Sequence, residues 1–102
     1  MRIEFTRSGG VAGPSARLAI ESAELPAGER EALEALIERA RFFELPSRLV
    51  SPVPDAFQYD LAIERGSLRH AVRLDERGAP EAVRPLLRRL TELARGARPP
   101  AE

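Results

Sequence analysis

A chain of 102 residues, 43% of them hydrophobic, has material for one modest core and no second domain. Its 16 basic residues, all arginine, balance 16 acidic ones, and a neutral chain lacks the basic surface that electrostatically driven nucleic-acid binding requires. The absence of cysteine excludes a disulfide framework and a thiolate metal site, and no apolar run approaches the roughly 18 residues of a membrane span.

Met1, Ile3 and Phe5 alternate with Arg2, Glu4 and Thr6, which predicts a half-buried strand. The stretch that follows, RSGGVAGP over 7–14, is longer than a tight hairpin link and nearly bare of side chains. Beyond it Ala16, Leu18 and Ile20 alternate with Ser15, Arg17 and Glu21 as a second strand. The period then switches. In AELPAGEREALEALIERARFF, Leu33, Leu36, Ile37 and Ala40 fall at helical spacing, with Glu29, Arg30, Glu34, Glu38 and Arg41 facing water. Glu29 and Glu31 suit the positive end of that helix and Arg39 and Arg41 the negative end. Leu45-Pro46 stops it.

Residues 46–56, PSRLVSPVPDA, hold three prolines and no periodicity, and read as an extended loop. Alternation resumes with Phe57, Tyr59, Leu61 and Ile63 on one face of a third strand. Arg65-Gly66-Ser67 turns the chain into a fourth, where Leu68, His70, Val72 and Leu74 share a face. ERGAPEAVRPLLRRLTELARG predicts a closing helix, with Pro80 in a first turn and Pro85 separating that turn from the main helix. The expected fold class is α+β. One domain over 1–95 joins two hairpins into a four-stranded antiparallel sheet, in the order ββαββα, with helix on one face. Residues 96–102 are expected to form a disordered tail. The opening MRIEFTRSGG lacks the features of a secretory signal, so cytoplasmic synthesis is expected, with non-classical export left open.

The residues offer little for catalysis. His70, the single histidine, lies on an apolar strand face and reads as a packed ring with a hydrogen-bonded nitrogen. Asp55, Asp60 and Asp75 fall in a loop, on a solvent face and at a strand end, with no spacing that demands an acid–base pair. Ser8 before two glycines lacks the strand-to-helix elbow of a nucleophile turn. The run Gly9-Gly10-Val11-Ala12-Gly13 opens a strand, whereas phosphate loops open a helix. Arg84, Arg88, Arg89 and Arg95 on the closing helix read as a solvated face, and Phe42-Phe43 as core closure. No catalytic residue, metal site or cofactor is expected.

MRIEFTRSGGVAG, ELP…ALIERARFFELPSRL, FQYDLAIE and APEAVRPLLRRL, in that order and spacing, resemble the emfourin family over roughly Met1 to Arg95. The resemblance implies a bacterial protein inhibitor of thermolysin-like zinc metallopeptidases, protealysin among them, that is not itself an enzyme. Its implied partner is such a peptidase, with no nucleic acid and no membrane, and the free protein is expected to be monomeric. The implied contacts are Ser8, Gly9, Gly10, Val11, Ala12 and Gly13, joined by Pro52, Val53, Pro54 and Asp55. A protease cleft binds extended backbone, and a loop of small residues enters it without side-chain clashes. The resemblance also implies a target that favours an apolar residue after the cleaved bond. Val11 would fill that pocket and the Gly10 carbonyl would face the zinc. Two other readings stay open. The glycines can serve only to supply positive φ for a wide hairpin, and the fold can serve as a non-inhibitory interaction module, using the proline-rich loop and an exposed Phe42 or Phe43. The two loops can act together only if they lie at one end of the sheet.

Overall fold

The computed structural model describes residues 1–9, 16–52 and 57–96. The strands form where apolar and polar residues alternate: β1 (Arg2–Ser8), β2 (Ala16–Glu21), β4 (Gln58–Arg65) and β5 (Leu68–Asp75). Helix α1 (Ala27–Ala40) follows β2, and α2 (Arg84–Gly96) closes the chain. Between α1 and β4 lies β3 (Arg48–Leu49), a two-residue strand.

All five strands join in one sheet of order β2-β1-β4-β5-β3. The four long strands pair antiparallel, β1 sitting between β2 and β4. β3 runs parallel to β5, with Arg48 opposite Arg73 and Leu49 opposite Leu74. The sheet is therefore mixed and five-stranded, in place of the expected four-stranded antiparallel one, and the order is ββαβββα. The reason is tertiary. Two residues between prolines carry no alternation, and they become a strand only because the end of α1 brings them beside β5.

Alternation decides which face is covered. Ile3 and Phe5, Leu18, Leu61 and Ile63, and Val72 and Leu74 are buried with Leu33, Ile37, Leu86 and Leu90 of the helices. Removing each such side chain from water contributes roughly 1.5–3 kcal/mol. The opposite sheet face stays open, where Arg73 pairs with Asp60 at 2.8 Å and Arg69 with Glu4 at 3.5 Å. Leu68 departs from expectation. At the start of β5, opposite Arg65, it is 50% exposed.

α1 buries Leu33, Ile37 and Ala40 and ends on Arg41 in the left-handed region, φ 49°. Phe42 then turns inward, fully buried, while Phe43 is half-buried beneath the Arg65 guanidinium, 4.9 Å from its ring centroid. The turn over 80–83 precedes α2, with the Val83 N–H donating to the Pro80 carbonyl. Pro85 is the second residue of α2, a position whose N–H has no helical partner in any case. No helix among the described residues is long and apolar enough to cross a membrane. The expected tail lies outside the described residues from 97 onward.

Candidate functional site

Strand pairing brings the stems of the two singled-out loops together. Ser8, the last residue of β1, pairs with Gln58, the first of β4. Arg7 pairs with both Ala16 of β2 and Tyr59 of β4. Neighbouring strands lie about 4.8 Å apart, so the chain leaving β1 and the chain arriving at β4 stand side by side. The described residues that flank the two segments, Ser8, Ala16 and Gln58, thus lie at the same end of the sheet, a question hairpin order alone leaves open.

Ser8 is a strand residue rather than part of the loop, because β4 gives it a partner. Gly9 follows, exposed, at φ 108°, in the region that favours glycine. That backbone angle explains Gly9 as the point where the chain leaves the ladder. Pro52 is exposed and directly follows Ser51. The remaining singled-out residues, Gly10, Val11, Ala12, Gly13, Val53, Pro54 and Asp55, lie outside the described residues.

Two devices steady the stems. The Arg7 guanidinium lies 3.8 Å from the centroid of the Phe57 ring, a cation–π contact linking the ends of β1 and β4. The second device is Asp75, at the end of β5 and only 1% exposed. Its carboxylate accepts from the Ser51 N–H at 2.8 Å, the Ser51 hydroxyl at 2.5 Å and the Gly78 N–H at 2.5 Å. One side chain therefore ties the segment before Pro52 to the turn that follows β5. Sequence reasoning places Asp75 at a strand end and misses this task. The available signal is D-x-x-G, in which an aspartate accepts from the N–H three residues on.

The hydrogen bond from the Ser51 hydroxyl, aided by the Gly78 and Ser51 N–H groups, holds the Asp75 carboxyl below its ordinary value, against the opposing effect of burial. A folded-state value below the unfolded one gives stability that is complete above the unfolded value of about 3.9 and is lost as pH falls through the lower folded value. Asp75→Asn keeps the shape and removes the charge. The variant is expected to unfold more easily at neutral pH, and the gap to the parent should narrow as pH falls below about 4. Thermal unfolding across that range checks it. Parallel curves for the two proteins would exclude the role given to Asp75.

His70 stands apart from this end. Its Nε2 lies 2.7 Å from the Leu45 carbonyl oxygen, which can only accept, so that nitrogen carries the proton and donates. The ring meets Phe42 edge-on at 5.4 Å between centroids. The histidine ties the segment after α1 to β5, in agreement with the packed, hydrogen-bonded ring read from the sequence.

The arginines of α2 divide into two sets. Arg89 bridges Glu92 at 3.1 Å and Glu29 of α1 at 3.4 Å, joining the helices. Arg84, Arg88 and Arg95 instead line a groove of ≈ 510 Å³ that reaches Arg7 and Tyr59.

Comparison with curated proteins and with solved structures finds no match. The Emfourin family model matches residues 5–91, most of the chain, and takes in both loop stems, β3, Asp75 and the greater part of α2. The chain belongs to the emfourin family, a family of inhibitors.

Proposed function

We propose that this chain inhibits a thermolysin-like zinc metallopeptidase by laying the segment 8–13 into the cleft, with residues 52–55 as a neighbouring contact. Family membership supports the inhibitor class. The pairing of Ser8 with Gln58 is the observation that carries the loop assignment, since it sets both stems on adjacent strands of one sheet end. An enzyme cleft approaching that end meets the two stems together.

The small residues of the first segment suit backbone recognition, in which a strand-like stretch is held by main-chain hydrogen bonds. Stems fixed by a sheet ladder lower the ordering cost of binding and favour slow dissociation. In this reading Val11 fills the apolar pocket beyond the scissile position, and the Gly10 carbonyl faces the target's zinc, where an oxygen donor is an acceptable ligand. Cleavage is slow because a carbonyl misplaced by about 1 Å can react on the order of 100-fold more slowly.

The test is direct. Purified chain at micromolar concentration should inhibit thermolysin, or a metallopeptidase encoded beside it, with a slow return of activity on dilution. Absence of inhibition against both enzymes removes the proposal. A partner captured from the source cell that lacks a protease domain would favour the non-inhibitory module instead.

A further inference from the structure

Five of the sixteen arginines gather along one groove. Arg84, Arg88 and Arg95 recur at intervals of four and seven along α2, which puts them on one side of the helix. Arg77 comes from the turn after β5, and Arg7 from the end of β1. Two acids share the groove. Glu92 is already held by Arg89 at 3.1 Å, which leaves Glu76 as its one carboxylate without an ion pair among the described residues.

None of the five arginines has an ion-pair partner among the described residues. Arg84 donates from Nε to the Ala79 carbonyl at 3.3 Å, and Arg7 rests on the Phe57 ring. No acid stands in the first turn of α2, so the positive end of its dipole adds to the same field. A chain of zero net charge thus concentrates positive charge at one place. That place adjoins the loop stems, because Arg7 and Tyr59 pair across β1 and β4 one position inside Ser8 and Gln58.

We infer that this groove binds an acidic segment of the same protein that the glycine-rich segment engages. The inference rests on the function proposed above and adds a second, charge-based contact to it. Guanidinium groups bind carboxylates through paired N–H donors, and several along one groove match a run of Asp or Glu better than a single ion. Complementary charge also steers encounter and raises the association rate, with a salt dependence that an apolar loop contact lacks. Nucleic acid fits the groove less well. Tyr59, the aromatic residue in its wall, is 9% exposed and offers no open face for a base to stack on.

Fluorescence anisotropy with a labelled octaglutamate peptide tests the inference without any peptidase present. The full chain should bind octaglutamate and not octaglutamine, and raising salt from about 0.02 to 0.2 M should weaken binding severalfold. Arg84→Gln/Arg88→Gln, both exposed positions, should weaken it about fivefold, in line with the modest worth of surface charge pairs. Circular dichroism and the unfolding midpoint verify that the double variant is folded. Should it not fold, Arg77→Gln, in a turn, takes its place, with a loss of about twofold expected. Equal binding of the two peptides, unchanged binding by the folded variant, or tighter binding of a thymidine octamer than of octaglutamate would each overturn the inference. Lost inhibition with intact peptide binding points to the loop reading as the failure, and intact inhibition with no peptide binding points to the groove.

Discussion

Gly78→Ala is expected to destabilise the fold by about 3 kcal/mol, the upper part of the range for forcing an atom into packed structure. A Cβ at position 78 would lie inside contact distance of the Leu49 carbonyl oxygen, 2.7 Å from the Leu49 carbonyl carbon and 2.9 Å from Asp75 Oδ1. Neither neighbour can give way cheaply. Leu49 is held as backbone in β3 against Leu74, and Asp75 is engaged with Ser51 and with the Gly78 N–H itself. Relief requires β3 to leave the sheet edge or Asp75 to drop its partners, and both outcomes free the segment that leads to Pro52. Gly28→Ala is the matched control. It lies in α1 with nothing within 4 Å of the added atom, and should be neutral or stabilising by up to about 1 kcal/mol. Denaturant unfolding of both variants measures the difference. If Gly78→Ala falls within about 0.5 kcal/mol of the parent, the turn after β5 and the strand β3 are not packed as described.

Gly78 also shows where sequence reading stops. In ERGAPEAV nothing distinguishes that glycine from an ordinary turn residue, because its partner, Leu49, lies 29 positions away and meets it only after folding. β3 escapes for the same reason. Arg48 and Leu49 become a strand through β5, and a two-residue segment has no period to read. The long elements are different. Ile3 and Phe5, Leu61 and Ile63, or Leu33 and Ile37 carry their burial in spacing alone, so the four long strands, both helices and the core residues of the strands and of α1 are legible, while the buried residues of α2, such as Leu86 and Leu90, are not singled out. Leu68 shows the limit even there, since alternation marks a face but not which of its positions end up covered. At the candidate site, the glycine-rich segment stood out by composition. The pairing of its stem at Ser8 with Gln58, just after the 52–55 segment, did not, because that depends on β1 pairing with β4 across an intervening helix in sequence. The Ser51–Asp75 contacts and the gathering of Arg7 and Arg77 with the arginines of α2 are long-range as well. What sequence omits, in each case, is which distant backbone arrives.

Val11→Asp is expected to weaken inhibition of the target metallopeptidase at least about tenfold while leaving the domain folded. Burial of a valine side chain contributes roughly 1.5–3 kcal/mol, and 1.4 kcal/mol already corresponds to a factor of about ten in affinity. An aspartate in the same apolar pocket adds a desolvation cost, so tenfold is the lower bound. Gly10→Val tests the neighbouring position by a different route. A branched side chain there widens the backbone just where the reading brings it against the zinc, and the loss should be of similar size. The stems should not respond to either change, because Ser8 stays paired with Gln58 and Arg7 with Phe57 through contacts that do not involve positions 10 or 11. Far-UV circular dichroism and the unfolding midpoint should therefore match the parent for both variants. Inhibition constants against thermolysin at two salt concentrations complete the experiment. For Gly10→Val, which adds no charge, the loss should persist at high salt, as an apolar loop contact requires, whereas any salt-sensitive part of the Val11→Asp loss belongs to the charge that variant introduces. Two folded variants that inhibit as strongly as the parent would remove 8–13 as the inserted segment and transfer the role to the stretch between Ser51 and Phe57, whose first residue, Ser51, is held by Asp75.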